Sequence, residues 1–427
     1  MTEHTFPPIR SVVGYSPYLW PHAVAALRVV RPIQQAGLQY ISGKEADRID
    51  IQQVSAADVI VIQREFPLFW DEYEQILSLA RQHGKPIVYE IDDLLLEIPE
   101  IHPDRAIDFY TPAILPILHA ITSADLVTTT TPNLKKYLEK FNPNVYVLPN
   151  FLDDAYWELR PYRPSSEQAQ VVIGFMGSDT HLPDLESISQ VFLQLAEQYR
   201  DRVGFRFWGC QPPAAILKLT QTEWLPYQVF DYPKFASYFL QQDVDILIAP
   251  LVDSPFNLCK SNVKLLEYAA IATPGVYSRI DSYNSLIIHQ ENGFLASSQE
   301  EWMSYLSQLI ENPALREQVG NRLQDTVRKN WLLSHNAQRW KQAYEYAQIV
   351  AMRGDMSHRA EQIRFLRSAA SQTLMLIRKQ DQKVAQLEKM NLDLQNQLNG
   401  IYSSRGWDLL QTLRRLRGLI LPGSKRI

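Results

Sequence analysis

The strongest constraint in this sequence is an alternation that runs, stops and starts again. Short apolar runs rich in β-branched residues, SVVGY (11–15), DVIVIQ (58–63), PIVYEI (86–91), LVTTT (126–130) and VYVLP (145–149), are separated by longer helical patterns such as FWDEYEQILSLARQHGK and TPNLKKYLEKF. Short apolar strands spaced by helices belong to parallel βαβ units, whose sheets are buried on both faces. A proline-bearing polar break, ELRPYRPSSEQAQ (158–170), interrupts the pattern. It resumes with VVIGFMG (171–177), GFRFWG (204–209), DILIAP (245–250) and GVYS (275–278). The sequence therefore predicts an α/β chain of two Rossmann-like, doubly wound domains in tandem. Ligands of such sheets bind at the carboxyl ends of the strands, so two sheets facing each other would enclose a cleft for two substrates.

The rest of the chain reads as helix. From about 299 the pattern is helical up to SHNAQRWKQAYEYAQIV, and after 355 the composition shifts to Gln, Lys, Arg and Leu. Ile377, Val384, Leu387, Leu394, Leu398 and Ile401 fall at three- and four-residue steps with Asn391 between them, a heptad seam with one polar core position. The expected division is an N-terminal domain over 1–158, a second domain with closing helices over 159–350, and a coiled coil with a basic amphipathic tail over 351–427. That tail, RGWDLLQTLRRLRGLILPGSKRI, carries Arg405, Arg414, Arg415, Arg417, Lys425 and Arg426 against Asp408 alone. Its apolar stripe is Trp407, Leu409, Leu410, Leu413, Leu416, Leu419 and Ile420. This composition suits a helix lying on an anionic membrane surface, or one packed on protein.

Composition excludes several classes. The net charge of -5 argues against a general nucleic-acid binder. Cys210 and Cys259 are the only cysteines and form no CxxC, so neither a disulfide framework nor a zinc site is expected, and a reducing compartment is. The N-terminus shows no apolar leader core and no window is apolar enough to span a membrane. The expected location is cytoplasmic, with the tail allowing a peripheral position on the inner membrane face.

Two segments carry chemistry. IGFMGSDTHLPDL (173–185) reads as strand, glycine turn and helix. Gly174 and Gly177 permit close backbone approach, Ser178, Asp179 and Thr180 suit an N-cap, and exposed amides at a helix start favour phosphate. CKSNVKLLEYAAIATPGVYS (259–278) follows a strand and places Lys260 and Lys264 at i and i+4, with Glu267 three residues on. If all three share a helical face, the cations can neutralise a diphosphate and the acid can accept bonds from ribose hydroxyls. A plain surface helix with a Lys264–Glu267 ion pair is the bland alternative. In the first half, YEIDDLL puts Asp92 and Asp93 just past a strand, and Arg64 and Glu65 end the strand before. His102 and His181 are each more often packing residues, with His181 the better candidate because it follows the phosphate turn. Asp243-Val244-Asp245 precedes a strand rather than following one, so it reads as a helix–strand turn and no metal is expected.

The second half resembles the donor domain of a family-4-type glycosyltransferase of the GT-B fold, through GFMGSDTHLPDL, DILIAPL, KSNVKLLEYAAIATPGVYS and ENGFLA. DVIVIQRE, VYEIDDLLLEIP, ADLVTTTTPNL and VLPNFLD carry a weaker likeness in the first half. The resemblance implies transfer of a sugar from a nucleotide-diphosphate sugar, as co-substrate and with no further cofactor, to a glycan or lipid-linked acceptor. It implies retention of configuration and no metal. Donor contacts would be Gly177, Ser178, Asp179, Lys260, Ser261, Lys264 and Glu267, with Asp92, Asp93 and His181 at the reaction. The family's Glu-x7-Glu pair has its second acid at Glu267, but Cys259 stands at the first. Two other readings remain open: a nucleotide-sugar epimerase of the same fold, and a non-catalytic nucleotide-sugar-binding scaffold that forms a homodimer through its coiled coil.

Overall fold

A computed structural model describes residues 7–164, 170–227, 230–354 and 359–420, with side chains as far as 416. Two compact units divide the chain, residues 1–368 and 369–427. The first unit holds two six-stranded sheets. In the first sheet the strands are β1 Ser11–Tyr15, β2 Gln39–Ser42, β3 Val59–Gln63, β4 Ile87–Glu90, β5 Leu126–Thr129 and β6 Val145–Val147. They are parallel and ordered β2-β1-β3-β4-β5-β6. The second sheet has β7 Val171–Gly177, β8 Val203–Gly209, β9 Thr222–Leu225, β10 Ile246–Ala249, β11 Gly275–Ser278 and β12 Phe294–Ala296. It too is parallel, ordered β9-β8-β7-β10-β11-β12. This is the doubly wound α/β arrangement that the alternation predicts. All nine strands expected from the sequence are present, within a residue or two at each end. Three others, β2, β9 and β12, lie at the edges of these sheets, and a separate antiparallel pair joins Lys44–Glu45 to Arg48–Ile49. The mixed sequences of the three edge strands, QYIS and TEWL above all, lack the continuous apolar run that marks a central strand.

Each sheet is buried on both faces. Helices such as α1 Trp70–Gln82 cover the first sheet, turning Tyr73, Ile76 and Ala80 inward. The two faces of the second sheet are packed by separate clusters, one around Trp208, Tyr268 and Tyr277, the other around Phe175, Phe192 and Phe207. The helix α2 Val263–Ala270 buries six of its eight residues there.

The closing helices behave differently from the sequence expectation. The helix α3 Gln338–Arg353 packs on the first sheet: Trp340, Ala343, Tyr344 and Ala347 share a cluster with Val12, Val59, Val88 and Leu126. The chain thus passes from the first half to the second after β6 and returns near 332. At the crossing Leu152 N–H donates to Trp331 O (2.9 Å), and Leu333 N–H donates back to Leu152 O (2.8 Å). In the second unit α4, Ala360–Tyr402, which begins in the first, continues as one helix, and α5 Arg405–Ile420 follows. No described helix is long and apolar enough to cross a membrane.

Candidate active site

In the second sheet the strand order reverses between β7 and β10, the place where doubly wound sheets open a crevice for ligands. Both chemistry-bearing segments leave the sheet there. After β7 the chain turns at Ser178, makes one 3-10 turn over Asp179–His181 and enters a short helix at Leu182. The Ser178 hydroxyl pairs with Thr180 Oγ1 (2.7 Å) and does not cap the turn. Gly177 needs its missing side chain for packing: an added Cβ would lie 2.9 Å from the Phe175 ring and 3.1 Å from His181. Its carbonyl accepts from Cys210 N–H (2.7 Å).

Lys260 is not on the helix, which corrects the shared-face reading. A short helix, Pro255–Leu258, ends first, and α2 begins only at Val263. Lys260 and Ser261 therefore sit on the connecting turn and Lys264 in the first turn of α2. The two cations still meet, because Lys260, Ser261 and Lys264 line one cavity together with His181, Asp92, Asp93, Arg28 and Asn150. A lysine in the first helical turn opposes the helix dipole, so Lys264 is placed where an anion, and not helix stability, would favour it. Burial pushes its ammonium down to about 8, and neighbouring Lys260 adds to the shift.

Lys264 ends a buried chain of contacts. Its Nζ lies 3.0 Å from His181 Nε2, and His181 Nδ1 lies 2.8 Å from Asp184 Oδ2. Asp184 Oδ1 accepts from Val252 N–H (2.9 Å) and Asn257 Nδ2 (3.0 Å). Burial, reinforced by Lys264, pushes the imidazole down to about 3. Glu267 is buried on α2, and no ion pair within 4 Å joins it to Lys264 among the described residues, so the surface-pair alternative does not describe it. Burial raises its carboxyl to about 8. Gly177, Ser178, Asp179 and Glu267 are not among the residues lining the cavity.

The first half contributes a guanidinium hub. Arg64 follows β3 with a left-handed backbone, φ 49°. Its amide donates to Glu90 O (2.9 Å) and its carbonyl accepts from Tyr89 OH (2.7 Å), which hold this uncommon conformation. From there Nη1 reaches Asp92 (2.8 Å) and Asp93 (3.7 Å), Nε reaches Glu65 (3.4 Å), and Nη2 donates to Tyr110 OH (2.8 Å). The two aspartates differ. Burial lifts Asp92 above the usual carboxylate range despite Arg64. For Asp93 burial is outweighed by Lys260 and Arg64, and its carboxyl falls below that range. Asp93 also keeps 30% of its side chain exposed, against 17% for Asp92. Deeper, Arg28 pairs with Glu90 (2.7 Å) and donates to Asn150 Oδ1 (2.9 Å), and Asn150 in turn donates to Ser261 Oγ (2.8 Å). That last bond joins the two halves across the cleft.

The remaining sequence candidates have structural partners. His102 caps the helix Pro103–Ala106 through Nδ1. Asp245 accepts from Val172 N–H (2.9 Å) and Tyr162 OH (3.3 Å) at the entry to β10, as expected of a helix–strand turn. Cys259, at the position of the family's first acid, is buried, and its carbonyl accepts from Thr131 Oγ1 (3.0 Å). Arg28, Tyr110, Asn150 and Asp184 are not legible in the sequence as site residues. Only Asp184 had a signal, its i,i+3 spacing from His181.

Residues 191–342 match the family model described as glycosyl transferase-like. No curated protein matches the chain. Among solved structures, the fold is that of Anabaena Alr3699/HepE in complex with UDP and glucose, at 11% identity and a TM-score of 0.54, covering 79% of this chain and 99% of that one. An alpha-glucosyltransferase in complex with UDP-glucose and DNA aligns at 12% identity and a TM-score of 0.55 over 79% of this chain and 100% of its own. TarM aligns at 12% identity and a TM-score of 0.50, over 67% of this chain and 54% of its own, so the present chain matches about half of its length. Two facing Rossmann-like domains with a site between them are the GT-B architecture. The chain therefore has the GT-B fold, and residues 191–342 of its second half are glycosyl transferase-like.

Proposed function

We propose that the protein moves a sugar from a nucleotide-diphosphate sugar to a glycan or lipid-linked acceptor, with retention of configuration and without a metal ion. The observation that carries this reading is one cavity lined by Lys260 and Lys264 from the second half and by Asp92 and Asp93 from the first. Cations at the switch point of the second sheet are where a leaving diphosphate needs stabilisation, and preorganised charge of this kind lowers the barrier without a metal. The solved structures of the same fold that hold UDP with glucose, or UDP-glucose, support a nucleotide-sugar donor.

The two aspartates take different parts. Asp92 is held by Arg64 and fixes the strand end. Asp93 is the more open and stays ionised, so it is a weak base and a good acceptor of a hydrogen bond from a sugar hydroxyl. That favours a reaction in which Asp93 orients the acceptor and a donor phosphate oxygen takes its proton, the outcome being retention. Glu267 is assigned to the donor ribose, with Gly177, Ser178 and Asp179 at the diphosphate turn.

The test is turnover of a panel of nucleotide sugars with candidate acceptors, with the product read by NMR. Retained anomeric configuration, and activity that survives EDTA, support the proposal. An inverted product would require one aspartate to act as general base. Loss of activity in EDTA with recovery on Mg²⁺ or Mn²⁺ would overturn the metal-free reading. Donor turnover with no acceptor would identify an epimerase.

A further inference from the structure

Both ring nitrogens of His181 are engaged inside the protein, one by Asp184 and one by Lys264. A histidine in that position is not free to exchange a proton with substrate. Its partners also fix which nitrogen carries the hydrogen. Asp184 is a carboxylate and only accepts, so Nδ1 must donate to it, which leaves Nε2 as a lone pair facing the Lys264 ammonium. The second Asp184 oxygen already receives two donors, Val252 N–H and Asn257 Nδ2. One carboxylate thus ties the turn after β7 to the segment after β10 and sets the imidazole for the lysine.

From this arrangement we infer that Asp184 is a positioning residue of the donor site, acting through the His181 tautomer to hold Lys264 charged and aimed at the donor diphosphate. The inference rests on the assignment of Lys264 to that diphosphate. The charged and titratable groups facing Lys264 are Lys260 on the preceding turn, His181 on the turn after β7, Asp184 on the short helix that follows it, Cys210 after β8 and Glu267 one turn along α2. Asp92, Asp93 and Arg28 share the cavity from the first half. Of these, Lys260 opposes the charge on Lys264, while Asp184 and Glu267 favour it. The neutral imidazole acceptor supplies directed support to an ammonium whose burial has already pushed it down to about 8. Consistently, burial and Lys264 keep His181 neutral, at about 3.

Asp184→Asn tests the relay, because the amide has one acceptor where two are needed. With its oxygen kept on Val252 and Asn257, its NH₂ faces Nδ1 and forces the hydrogen to Nε2. Donor then faces donor at Lys264, and the lysine is driven toward the neutral amine. The probes are inorganic diphosphate and UDP, titrated by calorimetry from pH 6 to 9 on the full chain. For the wild type, affinity should fall as pH rises through about 8, because the free protein loses the Lys264 proton that the anion requires. In Asp184→Asn that fall should move about one unit lower, with binding about fivefold weaker at pH 8 and approaching about tenfold weaker at pH 9. Equal loss at every pH, with no displaced midpoint, would mean a packing role only and would overturn the inference. A second measurement needs no ligand and is read on the wild type: ¹⁵N NMR of ring-labelled histidine, with the His181 signal assigned by its absence in His181→Gln. The Nδ1–H tautomer, neutral at pH 6, is expected in the wild type. An Nε2–H tautomer or an imidazolium overturns the relay. If the tautomer is as expected but the wild type binds neither probe, the donor-site reading fails and the relay's purpose with it.

Discussion

Arg64 shows how a single residue can organise a site that its neighbours in sequence do not announce. Its guanidinium stands among Glu65, Asp92, Asp93 and Tyr110. Replacing it by Met leaves three carboxylates together in a half-buried space and should destabilise the protein by about 3–5 kcal/mol near neutral pH, the scale of a broken buried pair. The pH dependence has a definite sign. Arg64 and Lys260 depress Asp93, so that carboxylate contributes stability above its unfolded value near 4 and loses it as pH falls through its folded value. The gap between wild type and Arg64→Met should therefore be widest at pH 7 and narrow below pH 4, which urea titrations at both pH values would check. On the other side of the cleft, Lys260→Ala should weaken nucleotide diphosphate-sugar binding by about 1.5–3 kcal/mol, the worth of a hydrogen bond to a charged group. Glu267→Gln should impair the intact donor more than free inorganic diphosphate, since its assigned partner is the ribose. Equal calorimetric affinities for wild type and Lys260→Ala would remove that lysine from the site. Asp92, Asp93, Lys260, Ser261, Lys264 and His181 could be picked from sequence because each follows a strand or a glycine turn. Arg28, Asn150 and Tyr110 could not, because they arrive from segments whose local pattern is that of ordinary core or loop.

At the scale of elements, legibility followed burial. The central strands were visible because both faces are covered and their sequences run apolar, while β2 and β9 were hidden by mixed edge sequences. The placement of Lys260 shows the opposite error: an i,i+4 spacing suggests a helix, but the chain spends Cys259–Asn262 on a turn between two helices. The longest element makes its own prediction. Val384, Leu387, Leu394, Leu398 and Ile401 of α4 are each about half exposed, on the same seam as Asn391. An isolated helix of that kind gains from a partner, and a single core Asn favours a parallel pair in register. The full chain should sediment at twice its own mass. Asn391→Ile should raise the thermal midpoint of the helical signal while yielding a mixture of oligomers. Sedimentation of the wild type as a monomer at micromolar concentration would leave the seam without a self-partner.

For the whole molecule, the tail bears on where the reaction could take place. The expected helix is present as α5, and Leu409, Leu410, Leu413 and Leu416 are exposed along it. The side chains of Arg417, Leu419 and Ile420, and residues Lys425 and Arg426, lie outside the described residues. Flotation with vesicles containing anionic lipid should carry the full chain upward and leave a chain ending near residue 355 behind, with high salt weakening the effect. If both stay with the soluble fraction, the tail is a packing helix. What no sequence pattern foretold is the return of the chain to the first half, where Trp340 and Tyr344 complete its core. The backbone bonds between Leu152 and the Trp331–Leu333 segment pin the outgoing and returning passages side by side. In mechanical language this is a pinned joint with two leaves, not a tether. A single connection would let the halves twist and slide as well as swing. Two connections fastened together restrict twist and sliding more than one would, and so help to hold Asp93 and Lys260, which line one cavity, in a fixed relation.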